Sequence, residues 1–149
     1  MRATRLGLWA LLCLSFAVQG GTNSWSVKGP FGGNMVDIVY RPNSQTMVYA
    51  ATHSAVYRSS DGGGTWSLLK EDFGPSDLVD LATDPLNANG LYVASRDRGI
   101  FHTSDGGATF TLIRSVTDLI QDGPEAMAVA ANGTRLYYIS LGEIGRAHV

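Results

Sequence analysis

The chain has 149 residues, of which 44% are hydrophobic, with one cysteine and a formal charge of −2. This length is that of one domain, and the hydrophobic content excludes a disordered or collagen-like chain. The near-neutral charge provides no basic field, so nucleic acid and anionic membranes are not predicted as partners.

The N-terminus is typical of a secretory signal peptide, assigned to residues 1–20. Arg2 and Arg5 form a positive segment, and an uncharged apolar run follows from Leu6 to Val18, with small residues at signal-peptidase spacing. The run is shorter than the roughly 20 residues that span a bilayer; the alternative is a retained anchor or a buried helix. Cleavage removes Cys13 and with it any disulfide. The predicted location is secreted or periplasmic, without a membrane span after cleavage.

The rest of the chain contains an internal repeat. Residues 59–66, SSDGGGTW, match residues 103–110, TSDGGATF, at an offset of 44. A third copy begins at Ala126 and stops after Ser140. Turn residues divide each unit into four short strands, predicted in the first unit at about residues 35–40, 46–51, 55–59 and 65–69.

Four strands in a unit of about 40 to 50 residues are typical of a propeller blade. The predicted fold is therefore all-β: a β-propeller of four-stranded blades, incomplete, with about two and a half blades in residues 21–142. Blade 1 is assigned to about residues 34–70, blade 2 to about 78–114, and the start of blade 3 to about 125–141.

The C-terminus is assigned to a different origin. Ile144 to Val149 resemble the translation of a common sequencing adapter, the alternative being an ordinary polar tail. Residues 143–149 are therefore interpreted as adapter read-through and are left out of the fold prediction. On this interpretation the chain is the N-terminal fragment of a longer propeller.

Two loops follow the pattern Ser/Thr-x-Asp-x-Gly-x-Thr-Trp/Phe. It resembles the Asp-box, also called the bacterial neuraminidase repeat. The matching residues are Ser59, Asp61, Gly63, Thr65 and Trp66 in the first loop, and Thr103, Asp105, Gly107, Thr109 and Phe110 in the second.

The composition of these loops favours a structural role. We expect each aspartate to accept a hydrogen bond from the backbone N–H two residues on, the glycines to adopt positive φ, and the threonine hydroxyls to bond back across the loop. The aromatic residue then packs into the seam between sheets. A cation is the weaker alternative, because calcium takes six to eight oxygens. The sequence predicts no metal site, no cofactor and no catalytic residue.

Asp-box propellers include sialidases, xyloglucan-active glycoside hydrolases, sortilin-type receptor domains and photosystem assembly factors. The resemblance thus implies a fold and no single activity. The Arg-Ile-Pro motif of sialidases does not occur in this sequence. The xyloglucan-active enzymes place a catalytic Asp after the second strand of the first blade, where this chain has His53. That substitution argues against the same activity.

Propeller topology places the turn between the second and third strands on the same face as the link between blades. The candidate ligand face is assigned to His53, Ser54, Arg96, Asp97 and Arg98. Arg96 and Arg98 are suited to pair with ligand carboxylates or sulfates; the alternative is a solvated turn with Asp97 between them. A histidine side chain can titrate near neutral pH, and the alternative for a lone loop histidine such as His53 is that it is simply exposed.

Four aspartates of the inter-blade links are a further candidate set: Asp72, Asp77, Asp118 and Asp122. A pair of carboxylates can hydrolyse a glycosidic bond, whereas acidic loops are more commonly only solvated. The favoured interpretation is an exported, non-catalytic propeller that binds a protein or a glycan. The alternatives are a fragment of a secreted glycoside hydrolase lacking its catalytic loops, and a surface adhesion module.

Overall fold

The computed structural model describes residues 29–30, 34–74, 77–117, 123–140 and 143–148. The predicted signal peptide, with Cys13, lies outside these ranges. Within them, every regular element is a β-strand, so the prediction of an all-β chain is confirmed for this part. No helix in the described ranges is long and apolar enough to cross a membrane.

The first sheet joins four strands in chain order, each antiparallel to the next: β1 (Met35–Tyr40), β2 (Val48–Thr52), β3 (Ala55–Ser59) and β4 (Ser67–Glu71). The predicted bounds of β1 and β3 are confirmed, whereas β2 and β4 begin two residues later than predicted. The backbone N–H groups of Thr46 and Met47 donate to the hydroxyl of Ser44. Thr65 likewise donates its N–H to Asp61. These residues therefore belong to the preceding turns.

The second sheet repeats the first: β5 (Leu78–Thr83), β6 (Leu91–Ser95), β7 (Gly99–Thr103) and β8 (Thr111–Ser115). The irregularities also repeat. A β-bulge precedes Asp37 in β1 and Asp80 in β5, and a second one precedes Tyr57 in β3 and Phe101 in β7. The repeat is thus present in the backbone pairing as well as in the sequence.

The third sheet has three strands in the order β11-β10-β9: β9 (Ala126–Val129), β10 (Arg135–Ser140) and β11 (Glu143–His148). β11 lies in the residues that were left out of the fold prediction, and it pairs antiparallel with the whole of β10. Backbone pairing of this kind requires no particular side chain.

The three sheets bury two apolar clusters between them, with β1 next to β5 and β5 next to β9. The first cluster contains Tyr49, Ala51, Val56, Phe73, Leu78, Leu81, Leu91 and Val93. The second contains Tyr92, Ile100, Leu136 and Tyr138. Successive residues of a strand point to opposite faces, so Tyr92 and Val93 of β6 enter different clusters. This explains why all five residues of β6 are buried.

The antiparallel order sorts the loops to two ends of the sheets. We call the end with the β2–β3 and β6–β7 turns and the β4–β5 link the link end. Two backbone hydrogen bonds join its loops, from Leu78 N to His53 O at 2.8 Å and from Arg96 N to Asp77 O at 3.1 Å. We call the opposite end, with the β3–β4 and β7–β8 loops, the Asp-box end.

Candidate ligand-binding face

The β2–β3 turn and the β4–β5 link meet at the link end. His53 and Ser54 form the turn, and both side chains are exposed. His53 Nδ1 lies 3.4 Å from Asp77 Oδ1, and both side chains are about half exposed. The hydroxyl of Thr52 accepts a hydrogen bond from Ala55 N at 3.1 Å, which closes the turn from its buried side. The turn therefore presents the imidazole beside a carboxylate of the next segment.

The β6–β7 turn carries Arg96, Asp97 and Arg98. The two arginines are exposed and Asp97 is half-buried. Gly74 has φ +127°, and a Cβ there would lie 2.8 Å from the Arg98 side chain, so the stem of Arg98 lies across the β4–β5 link. A Cβ on Gly123 would lie 1.7 Å from the Arg96 carbonyl oxygen. Both glycines let backbone pack closely against this turn.

All five predicted ligand-face residues lie at this one end, joined through Asp77. Its carbonyl accepts from Arg96, and its carboxylate faces His53. Their role in binding stays a prediction. Asp118 and Asp122 of the predicted carboxylate set lie outside the described residues, while Asp72 is exposed with φ +64°.

Sequence reasoning missed Phe73, which anchors the β4–β5 link. Its side chain is 2% exposed, and its ring meets those of Phe101 and Phe110 edge-on, with centroids 5.3 Å apart in both cases. Its carbonyl accepts a hydrogen bond from the Ser95 hydroxyl. A single aromatic residue in an acidic link was the available signal. The packing of Phe110 in the seam agrees with the expected role of the aromatic position.

The first Asp-box loop is closed by Ser59, Asp61 and Thr65. The Ser59 hydroxyl donates to Asp61 Oδ1 at 2.7 Å and accepts from Gly63 N at 2.8 Å. Asp61 accepts from Thr65 twice, from N at 2.8 Å and from Oγ1 at 2.7 Å. Gly62 and Gly63 have φ +73° and +95°. The expected bonds from the threonine hydroxyl and the positive φ of the glycines are thus present.

The expected bond from the N–H two residues after the aspartate was wrong. The buried Ser59 hydroxyl reaches the N–H groups of Asp61 and Gly63. This leaves the carboxylate to span the loop to Thr65. The first position of the motif is therefore a hydrogen-bonding centre of its own, and sequence reasoning underestimated it.

The second Asp-box loop has the same hydrogen bonds. Thr103 Oγ1 donates to Asp105 Oδ1 at 2.7 Å and accepts from Gly107 N at 3.0 Å. Thr109 donates to Asp105 from N at 3.0 Å and from Oγ1 at 2.6 Å. The two loops, residues 59–66 and 103–110, differ in sequence at three of their eight positions and share one network.

These hydrogen bonds stabilise the ionised aspartates. The Thr65 backbone N–H, with the hydroxyls of Ser59 and Thr65, lowers the pKa of Asp61 to about 2. The hydroxyl of Thr109, then its backbone N–H, lowers the pKa of Asp105. Both oxygens of each carboxylate accept protein donors. In the described part of the chain, no group of three or more His, Cys, Asp or Glu residues converges.

The comparisons with known proteins give the fold. The chain matches no protein-family model and no curated protein. It is similar to the structure of a GH74 enzyme from Niastella koreensis (TM-score 0.60, 19% identity, 69% of this chain and 16% of that one). It is also similar to an ancestral GH74 enzyme (TM-score 0.66, 16% identity, 83% of this chain and 18% of that one). A third similar structure is YCF48 bound to D1 peptide (TM-score 0.65, 18% identity, 81% of this chain and 40% of that one).

These neighbours are β-propellers, and at such identities the likeness shows the fold alone. The chain spans less than half the length of each of the three. It thus has the fold of a β-propeller segment built from antiparallel sheets.

Proposed function

We propose that the chain is part of an exported, non-catalytic Asp-box propeller that binds a protein or a glycan through its link end. The three sheets are blades of that propeller, and residues 1–20 direct its export. The Asp-box residues hold the opposite end and take no part in binding. In this proposal residues 143–149 are adapter read-through, on the basis of their resemblance to an adapter translation.

The observation that carries the proposal is the joining of two sheets into one loop surface. The hydrogen bonds Leu78 N–His53 O and Arg96 N–Asp77 O fix the two turns relative to each other. On this fixed backbone His53, Ser54, Arg96 and Arg98 are exposed. A rigid scaffold with exposed guanidinium groups is suited to anionic groups of a ligand. The peptide in the YCF48 structure supports a protein ligand.

The second candidate is a fragment of a secreted glycoside hydrolase, favoured by the likeness to GH74 enzymes. Against it stands His53, at the position where the resemblance implies a catalytic Asp. The third candidate is a surface adhesion module. It uses the same link end and differs in the further domains that are attached to the propeller.

The test is a binding selection with immobilised polysaccharides and a displayed random-peptide library. We expect the selection to retain ligands. Their affinity should fall about tenfold or more in the Arg96→Ala/Arg98→Ala double variant, which corresponds to a loss of binding free energy of at least about 1.4 kcal/mol. Arg135→Ala, which removes an exposed guanidinium from β10, is the matched control. Release of reducing ends from xyloglucan by the full-length gene product would support the hydrolase instead.

A further inference from the structure

The bulges in β1 and β5, the first strands of their sheets, place equivalent aspartates at the seam between the sheets. We call β1, β5 and β9 the innermost strands. The bulge in β1 ends at Asp37 and the bulge in β5 ends at Asp80. Each carboxylate bonds to the N–H of the next residue, Ile38 at 2.7 Å and Leu81 at 2.9 Å. Each carboxylate also accepts a hydrogen bond from a backbone N–H in the first strand of the following sheet. The repeat thus includes a side-chain contact from sheet to sheet.

The crossing contacts bring the two carboxyl groups together. Asp37 Oδ2 accepts from Leu81 N at 2.9 Å, and the same N–H is shared with Asp80 Oδ1 at 2.9 Å. One oxygen of each carboxyl group therefore lies 2.9 Å from the same backbone nitrogen. The other oxygen of Asp80 accepts from Met127 N of β9. Of two carboxyl groups this close together, a protonated one can donate a hydrogen bond to the other.

No cation compensates for the pair within the strands that contact β5. The titratable residues of β1 are Asp37 and Tyr40, those of β2 and β6 are Tyr49 and Tyr92, and β9 has none. Asp80 is half-buried. Burial, opposed by the Met127 N–H and reinforced by the neighbouring Asp37, raises the pKa of Asp80 to about 6. Two carboxyl groups that share a site cannot both ionise at the ordinary value.

We propose that Asp37 and Asp80 form a proton-operated clasp between the first and second sheets, independent of ligand binding at the link end. With one proton held between them, the two carboxyl groups bridge β1, β5 and β9 through the N–H groups of Leu81 and Met127. When that proton leaves to solvent, two like charges face each other and the innermost strands separate more easily. The seam is therefore tighter in mildly acidic than in neutral solution.

The direct test is a ¹³C NMR titration of the aspartate carboxyl carbons, with amide hydrogen exchange at Leu81 and Met127. Asp80 is expected to titrate near pH 6. Relative to the intrinsic exchange rate, protection of both amides is expected to fall about tenfold between pH 5 and 7.5. An ordinary midpoint for Asp80, about 3.9, would overturn the proposal, as would unchanged protection.

Two variants separate the clasp from a general role in packing. Asp37→Asn removes the like charge, so the Asp80 midpoint should fall by about one pH unit, a change that a merely structural role would not produce. An unmoved midpoint contradicts the clasp. Asp97→Asn removes the same charge from the β6–β7 turn, and the Asp80 midpoint should stay in place. Should Asp37→Asn fail to fold, the titration of the unaltered chain still decides.

Discussion

At the scale of single residues, the Asp-box loops show why the motif has its particular spacing. A hydroxyl at the first position and a carboxylate two residues later satisfy backbone N–H groups that the tight turn leaves without strand partners. Ser59 and Thr103 fill the same position because only the hydroxyl is needed. The carboxylates remain ionised because every nearby donor favours that state.

This network predicts loss of stability in acid. The pKa of Asp61 is lower in the folded chain, about 2, than its ordinary value of 3.8, and that of Asp105 is also lowered. Their stabilising contribution is present above the ordinary value and is lost as the pH falls through the folded value. We expect the urea midpoint to fall between pH 4 and pH 2, with a flatter dependence in Asp61→Asn/Asp105→Asn. An equally steep acid limb in that variant would show that these carboxylates do not cause it.

The glycines of the loop are not equivalent. Gly63 has φ +95°, which an L-residue rarely adopts, so Gly63→Ala should destabilise the fold by about 1–2 kcal/mol. Gly64→Ala is the matched control, because the second loop already has Ala108 at that position; its effect should stay within about 0.5 kcal/mol. Urea unfolding measures both. Equal losses in the two variants would rule out φ as the cause.

At the scale of elements, the repeat made most strands predictable and left their starts uncertain. Turn residues and the repeat gave the bounds of β1 and β3, whereas β2 and β4 start late because Ser44 and Asp61 hold the first predicted residues in turns. The contact between Asp37 and Leu81 could not be predicted from the sequence, because these residues are 44 positions apart and only the stacking of the sheets brings them together. The link-end turns were placed by topology. Asp77 was predicted as a link carboxylate, but its contacts with His53 and Arg96 and the anchoring role of Phe73 are apparent only in the packing.

The β4–β5 link is predicted to depend on Phe73. Phe73→Ala removes a 2% exposed ring from between Phe101 and Phe110 and should cost about 3–5 kcal/mol. Tyr40→Ala, which removes a ring that is 60% exposed, is the control and should cost about 0.5 kcal/mol or less. Denaturant unfolding gives both values, and a small loss in Phe73→Ala would mean that the link is held by its backbone bonds alone.

At the scale of the whole molecule, the outer face of the third sheet is apolar and uncovered among the described residues. Tyr137 and Ile139 are 36% and 47% exposed and alternate with buried Leu136 and Tyr138. They line a shallow cleft with Ala126, Ala128 and Ile144. The second sheet, by contrast, has an apolar cluster on each face. Apolar sheet faces of this kind promote association.

We therefore expect the chain to self-associate as its concentration rises. The Tyr137→Lys/Ile139→Lys variant should need about tenfold higher concentration to associate, because association would bury the new charges at a cost. Sedimentation velocity over a dilution series measures this. Leu86→Lys changes a 72% exposed residue outside this face and should leave the association unchanged. If the unaltered chain and both variants associate alike, the outer face of the third sheet is not the contact.

The central claim is that the link end, and not the Asp-box end, binds the ligand. The most direct measurement is a ¹H–¹⁵N NMR shift map of the chain with a peptide or glycan retained in the binding selection. The shifts are expected to be confined to the amides of His53, Ser54, Arg96, Asp97 and Arg98 and their neighbours. Shifts centred on Gly63 and Gly107 in the Asp-box loops would contradict it.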